Sequence, residues 1–112
     1  MQADRLTSAL LVGVLVRRAA AAGGFATVLV KGDEISGVIL IEAAERGEGR
    51  GLYERVPDLA GNYHLQRCGP PPEEGAESLS QYIARRRRAD PDLWIIELDI
   101  ADAERFAAET IC

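Results

Sequence analysis

The alternation of apolar and polar positions along the chain predicts helices and strands in a definite order. Residues 6–22 contain no helix breaker except Gly13 and are followed by two adjacent glycines, so they predict a long first helix, with a strand as the alternative because of the valines. Two β-branched runs follow, at 25–31 and 35–42, separated by a short polar connection. They predict a hairpin of two central strands covered on both sides, because both alternating faces of each run are apolar.

The middle of the chain continues this pattern as a meander. Residues 45–51 carry three glycines and four charges and predict an exposed loop, and the alternating run at 52–56 predicts a third strand. Pro57 stops that strand, and residues 63–68 predict a weaker fourth one. Residues 69–75, with three successive prolines, predict a stiff internal connection within one domain.

The closing part of the chain predicts a helix and a strand. Ser78, followed by Gln81 three residues later, forms a capping-box pattern that would open a helix running to Arg88. The sequence Asp-Pro after it would end the helix. Residues 93–100 then alternate with period two and predict a strand with one unbroken apolar face, formed by Trp94, Ile96, Leu98 and Ile100.

The order of these elements indicates the fold class. A last helix, capped by Asp99 or Asp102, is predicted to run to about Thr110. We therefore expect one α+β domain over residues 1–112. Its mostly antiparallel sheet should have four or five strands, packed with about three helices in the order α-β-β-β-(β)-α-β-α.

Charge and composition narrow the classes of partner. The 13 basic against 18 acidic side chains give a net charge of -5, which repels nucleic acid and anionic membranes, and aromatics make up only 5% of the 112 residues. The apolar run at 6–16 is too short to span a bilayer and lacks a basic leader before it. Cys68 and Cys112 lie far apart, so we expect reduced thiols and a cytoplasmic location.

Three stretches of the sequence carry a family resemblance. They are GGFATVLVKGD at 23–33, LYERVP at 52–57 and YIARRRRADPDLWIIELDIADAERF at 82–106. Together they resemble the small bacterial family called domain of unknown function 1491. The resemblance implies a stand-alone cytoplasmic bacterial protein of about this length, without an assigned activity and with no catalytic residue to carry over. It is weakest at 61–75, so it adds no support to His64 or Cys68.

Nucleophilic and metal chemistry find little support in the residues themselves. On a strand, the four residues from His64 to Cys68 span about 13 Å, beyond the hydrogen-bond reach that a base needs to activate a thiol. One histidine and two distant cysteines do not make up the ligand set of a structural zinc. We therefore assign no catalytic residue, no metal ligand and no cofactor.

Two further motifs have ordinary structural explanations. Glu97 and Asp99 share a strand face about 7 Å apart, a spacing that a glycosidase could use, but any strand with a wet face produces such a pair. Gly47, Gly49 and Gly51 imitate the start of a phosphate loop, yet no third fingerprint glycine and no helix follow. We interpret the glycines as part of a hairpin connection and the carboxylates as a solvated face or as protection of an edge strand.

The one local charge run is Arg85, Arg86, Arg87 and Arg88. At 100° per residue these side chains spread around the whole helix, so they form a collar and no stripe that could follow a nucleic-acid groove. Their position at a helix C-terminus is favourable, and nearby acidic residues, namely Asp90, Asp92, Glu97 and Asp99, could neutralise them. The run remains the candidate site for an anion or an acidic partner.

Two function classes stay open at this point. The first is a non-enzymatic cytoplasmic binding or adaptor module with an unknown protein partner. The alternative is a small-ligand binder, or minor enzyme, that uses Arg86, Arg87 and a neighbouring carboxylate around an anionic metabolite. An enclosed pocket at the arginines would favour the second. Because the middle of the first helix is apolar on nearly all sides, we also expect a homodimer.

Overall fold

The first helix follows the sequence pattern closely. In the computed structural model, which describes residues 6–112, α1 (Ser8–Ala21) begins after Thr7. The Thr7 hydroxyl accepts a hydrogen bond from the Leu10 amide at 3.2 Å, which caps the helix. The helix ends before Gly23, whose φ of 88° lies in the left-handed region where glycine carries no steric cost.

Five strands form one sheet in the order β1-β5-β2-β3-β4. They are β1 (Phe25–Val30), β2 (Ile39–Glu45), β3 (Glu48–Pro57), β4 (Tyr63–Cys68) and β5 (Trp94–Asp99). Neighbouring strands run antiparallel, except that β2 and β5 run parallel. Two further helices, α2 (Gly75–Ala89) and α3 (Ala103–Ile111), complete the predicted order of elements. The prediction of an α+β fold with a mostly antiparallel sheet is confirmed.

Helices cover the sheet on both faces. One face packs against α1 and α3 and contains the larger core, which includes Trp94, Ile96 and Leu98 at 4%, 0% and 0% exposure. The predicted apolar face of β5 is therefore correct. The other face packs against α2 through a smaller cluster, formed by Leu40, Leu52, Leu93 and Ile95 with Leu79, Tyr82 and Ile83 of the helix.

The predicted hairpin between the first two strands is wrong, because β5 lies between them. Two glycines in the connection make room for the chain entering β5. A Cβ atom on Gly32 or Gly37 would overlap the carbonyl oxygen of Asp92 and crowd the ring of Trp94. The indole Nε1 of Trp94 also donates to the Asp33 carbonyl at 2.7 Å. These glycines therefore accommodate a strand about sixty residues further along the chain.

The prediction that both early strands are central holds for β2 and fails for β1. In β2, residues such as Ile39 and Ile41 are almost fully buried. By contrast, β1 is an edge strand, and Phe25, Val28 and Leu29 are 72%, 41% and 48% exposed. Although β1 is apolar in composition, most of its residues are not buried within this chain.

Two predicted caps also differ from the structure. The second helix begins at Gly75, so Ser78 lies inside its first turns and the capping box with Gln81 is not formed. Asp102 stands at the N-cap position of α3, but its side chain makes no capping hydrogen bond. The side chain of Asp99 serves a different turn, which is described below.

The exposed connection after β2 is shorter than the sequence indicated. Strand β3 already begins at Glu48, so the predicted loop at 45–51 reduces to a turn at Arg46 and Gly47, both with positive φ (53° and 81°). Between β4 and α2, the proline-rich connection at 69–75 contains a short 3-10 helix (Pro72–Glu74). The proline-rich connection and the first residues of β3 line a groove close to the second face of the sheet.

Most of the apolar circumference of α1 is covered within the chain. Leu11, Leu15 and Ala19 are buried against the sheet and α3, whereas Leu10 keeps 46% exposure. The apolar helix that prompted the homodimer prediction thus finds much of its cover inside the monomer. Within residues 6–112, no helix is long and apolar enough to cross a membrane.

Candidate functional site

The arginine run lies in the last turns of α2, and its members have different environments. Arg86 is half-buried: its guanidinium donates to the Tyr82 hydroxyl at 2.9 Å and forms an ion pair with Glu54 of β3 at 3.1 Å. Partial burial disfavours its charge, but the bonds to Tyr82 and Glu54 outweigh this effect and raise the pKa of Arg86. Arg86 therefore attaches α2 to the sheet and is not free to bind a ligand.

The other three arginines are exposed on the helix. Arg85 lies near the ring of Tyr82, with 5.8 Å between the guanidinium carbon and the ring centroid. Among residues 6–112, Arg85, Arg87 and Arg88 form no ion pair, so the acidic residues expected nearby in sequence do not neutralise them. The carboxylate that does reach the run is Glu54, which comes from a strand more than thirty residues earlier.

A shallow groove of about 430 Å³ adjoins the collar, and among residues 6–112 Arg85 is the only arginine that lines it. Tyr82, Ser78 and Gln81 supply further polar atoms, while Glu74 brings an opposing negative charge. The run as a whole therefore does not converge on one cavity, because its four side chains point to different sides of the helix.

Asp99 has a structural task that the sequence did not reveal. Its two carboxylate oxygens accept hydrogen bonds from the backbone amides of Arg46 and Gly47, both at 2.7 Å. These amides belong to the turn between β2 and β3, where the left-handed backbone of Arg46 needs support. Since both oxygens are engaged, Asp99 is a poor partner for Glu97 in acid-base catalysis.

Glu97 instead lies beside Glu42 of β2, which is its parallel neighbour in register. Partial burial and, to a smaller extent, the Glu97 carboxylate raise the pKa of Glu42. Sequence reasoning overlooked Glu42, although it is the one charged residue within the otherwise apolar buried run at 39–44. A charge in such a run was the available signal.

Glu42 also contributes to a second groove, about 690 Å³, between the β2–β3 hairpin and the proline-rich connection. Its lining mixes three acidic side chains with two basic ones and several exposed backbone segments. The charged groups are Glu42, Glu48, Glu73, Arg50 and Arg67. Glu48 and Arg50 already pair with each other at 3.0 Å, so the groove presents no convergent charge that would select one ligand class.

The cysteine and the histidine remain apart. Both lie on β4, a regular strand in which His64 pairs with Val56 and Cys68 with Leu52. Partial burial raises the pKa of the Cys68 thiol, and this makes it a weaker nucleophile at neutral pH. Both cysteines are free thiols, and residues 6–112 contain no group of three or more side chains that could hold a metal ion.

The largest unexplained feature is a set of exposed apolar side chains on β1 and in the segments before and after it in sequence. Among residues 6–112, seven large apolar side chains are exposed, and six of them fall between positions 6 and 35. These six are Leu6, Leu10, Phe25, Val28, Leu29 and Ile35. The sequence did not indicate this surface, because its apolar pattern predicted β1 in the interior of the sheet.

Comparison with known proteins adds the family to this picture. A family model described as "Protein of unknown function (DUF1491)" matches residues 6–108, whereas no curated protein matches the chain. The crystal structure of a DUF1491 family protein from Caulobacter crescentus CB15 is 33% identical, with a TM-score of 0.78 over 91% of this chain and 94% of that one.

Two further solved structures agree. An NMR structure of a DUF1491 family protein from the same organism is 31% identical, with a TM-score of 0.75 over 93% of this chain and 94% of that one. Protein Atu0922 from A. tumefaciens is 32% identical, with a TM-score of 0.66 over 87% of each chain. The match of the family model over nearly the whole sequence confirms the resemblance noted above, and the chain belongs to the DUF1491 family of proteins of unknown function.

Proposed function

We propose that this protein is a non-enzymatic binding module that holds its partner by adding a strand to the β1 edge of its sheet. The observation that carries the proposal is that three residues of this edge strand, Phe25, Val28 and Leu29, expose their apolar side chains, Phe25 to 72%. Exposed apolar surface beyond scattered single side chains typically marks an interaction site on a soluble protein. The free thiols of Cys68 and Cys112 suit a reducing compartment, so we place the module in the cytoplasm.

The backbone of β1 supports strand addition as the mode of binding. An edge strand leaves every second N–H and C=O group without a partner in the sheet, and an extended peptide can satisfy them. Natural edge strands are usually protected by charges or proline, yet residues 25–30 carry neither. The opposite edge, β4, has the usual protection from His64, Gln66 and Arg67.

Peptide selection would test this proposal directly. A display library of extended peptides is selected against the wild-type protein, and the binders are measured against Phe25→Lys, Leu29→Lys and the control Leu59→Lys. Leu59 is fully exposed but lies in the β3–β4 turn, away from the edge. We expect binding to be lost with the two edge variants, kept with the control, and accompanied by slower amide exchange in β1. Binders that ignore both edge variants would refute strand addition at β1.

A second candidate, binding of a small anion, is favoured by one observation. Arg85, Ser78 and Gln81 line the same open groove. Calorimetric titration with phosphate and with a small dicarboxylate tests this role, with Arg85→Gln as the variant and Arg88→Gln as the control. Binding heat that disappears only in Arg85→Gln would support an anion site. No heat with the wild type would remove this candidate. Nucleic acid is not expected as a partner at a net charge of -5.

A further inference from the structure

We propose that the occupant of the β1 edge is a second copy of this chain. This inference rests on the proposed function, since it names the partner of the same edge. Two β1 strands related by a two-fold axis normal to the sheet would pair antiparallel and join the two sheets into one of ten strands, five from each copy. The same axis keeps the α1 side of one copy on the same face as the α1 side of the other.

The register of this pairing follows from symmetry and exposure. In an antiparallel pair, residues directly opposite each other point to the same face of the sheet. A two-fold axis normal to the sheet therefore passes between the two copies of one residue. An axis through Thr27 pairs residues 25–29 of the two copies. It places Phe25 opposite Leu29 of the partner subunit, at the irregularity that β1 has between Val28 and Val30, and these are the two most exposed large apolar side chains of the strand, at 72% and 48%. Burial of such apolar pairs across strands stabilises a sheet.

The orientation of α1 adds charges at both ends of this interface. The Ser8 amide donates to the Ile35 carbonyl at 3.1 Å, so the start of α1 lies beside the connection that follows β1. Only residues 22–24 join the end of α1 to the start of β1, so exposed Arg17 and Arg18 lie near the start of that strand. The antiparallel pairing therefore brings Arg17 and Arg18 of the partner subunit near the end of β1.

Acidic side chains are present where these arginines arrive. Asp33 and Glu34 are exposed just beyond the end of β1, together with Lys31, which pairs with Glu34 at 3.2 Å. The end of β1 thus carries one net negative charge, and the end of α1 carries two positive charges. Two-fold symmetry repeats this contact. The uncharged, apolar centre of the interface therefore has oppositely charged groups facing each other at each of its two ends. This complementarity favours a second copy over an arbitrary apolar peptide.

Sedimentation equilibrium over a wide range of protein concentration tests the dimer. We expect the wild type to approach twice 12.1 kDa at high concentration, Phe25→Lys and Leu29→Lys to stay at the monomer mass, and the control Leu59→Lys to behave as the wild type. A wild type that remains at 12.1 kDa throughout, or a dimer indifferent to both edge variants, overturns the inference.

A charge exchange tests how the two copies are oriented. It should not destabilise the fold, because all the side chains involved are exposed. The double variant Arg17→Glu with Arg18→Glu should raise the dimer dissociation constant roughly tenfold, for two symmetry-related sets of surface ion pairs. Adding Glu34→Lys should restore much of the loss. A dimer that the exchange neither weakens nor restores refutes the antiparallel β1 arrangement.

The two proposals can fail separately. If the wild type stays monomeric while selected peptides still depend on Phe25 and Leu29, only the second copy is refuted as the occupant. If neither self-association nor peptide binding responds to these residues, strand addition itself is refuted.

Discussion

The substitution Arg86→Gln separates a structural arginine from a ligand-binding one. Arg86 holds α2 against β3 through an ion pair with Glu54 at 3.1 Å and a hydrogen bond to the Tyr82 hydroxyl at 2.9 Å. Glutamine keeps a polar side chain of similar width, but it loses the charge and the reach of the guanidinium. We therefore expect α2 to be held less firmly on the second face of the sheet.

The size of this effect lies between two limits. Breaking a fully buried ion pair costs about 3–5 kcal/mol, whereas exposed pairs contribute about 0–1 kcal/mol. The side chains of Arg86 and Glu54 are 24% and 25% exposed, so the pair is partly screened by water. We expect a loss of about 2 kcal/mol in the free energy of unfolding, which lowers the urea midpoint by about 1 M.

Urea denaturation followed by circular dichroism measures this loss, and the same run supplies the control. Arg87 is exposed, so Arg87→Gln should change the free energy of unfolding by less than about 0.5 kcal/mol. A double-mutant cycle with Glu54→Gln should give a coupling energy of about 1 kcal/mol or more. Equal midpoints for the Arg86 and Arg87 variants, or a coupling of zero, would refute the structural role and return Arg86 to the candidate ligand-binding residues.

Three further substitutions test the core, a turn and a titrating group. Trp94→Ala should lower the free energy of unfolding by about 3–5 kcal/mol through the cavity it leaves, and an unchanged denaturation midpoint would show that the core assignment is wrong. Asp99→Asn should cost about 1–2 kcal/mol and speed amide exchange at Arg46 and Gly47; unchanged exchange there would contradict the turn contact. The raised pKa of Glu42 makes the folded state bind a proton more tightly than the unfolded state, so stability falls as the pH rises above the ordinary value of 4.5. Glu42→Gln should therefore be more stable than the wild type at neutral pH and lose this advantage below about pH 4, and equal midpoints at both pH values would refute the assignment.

Alternation along the chain was sufficient to predict one of the two buried faces of β5. On β5, Trp94, Ile96 and Leu98 alternate with other residues, and they do form the centre of the larger core. The meander from β2 to β4 was also predictable, because each strand pairs with the next one in sequence. These features depend on residues that are close together in sequence, so they can be predicted from the sequence alone.

Lateral order within the sheet could not be predicted in the same way. A strand inserted between β1 and β2 leaves no periodic signal, and the connection with Gly32 and Gly37 resembles a turn in either case. The candidate site has the same difficulty. Four identical arginines give no indication that Arg86 alone meets Glu54, because that contact depends on where α2 crosses the sheet.

Strands β1 and β2 have similar apolar sequences but different burial in the structure. In sequence, both strands are apolar on both faces. In the structure β2 is covered, and residues such as Leu40 are fully buried. The similar sequence of β1 is exposed to solvent: β1 is the edge strand of the sheet, and Phe25 is 72% exposed. Where local sequence and tertiary environment disagree, a functional constraint is the usual reason. An added strand from a second copy would resolve this disagreement, because it would place β1 in the interior of a larger sheet, where its sequence predicted it to be.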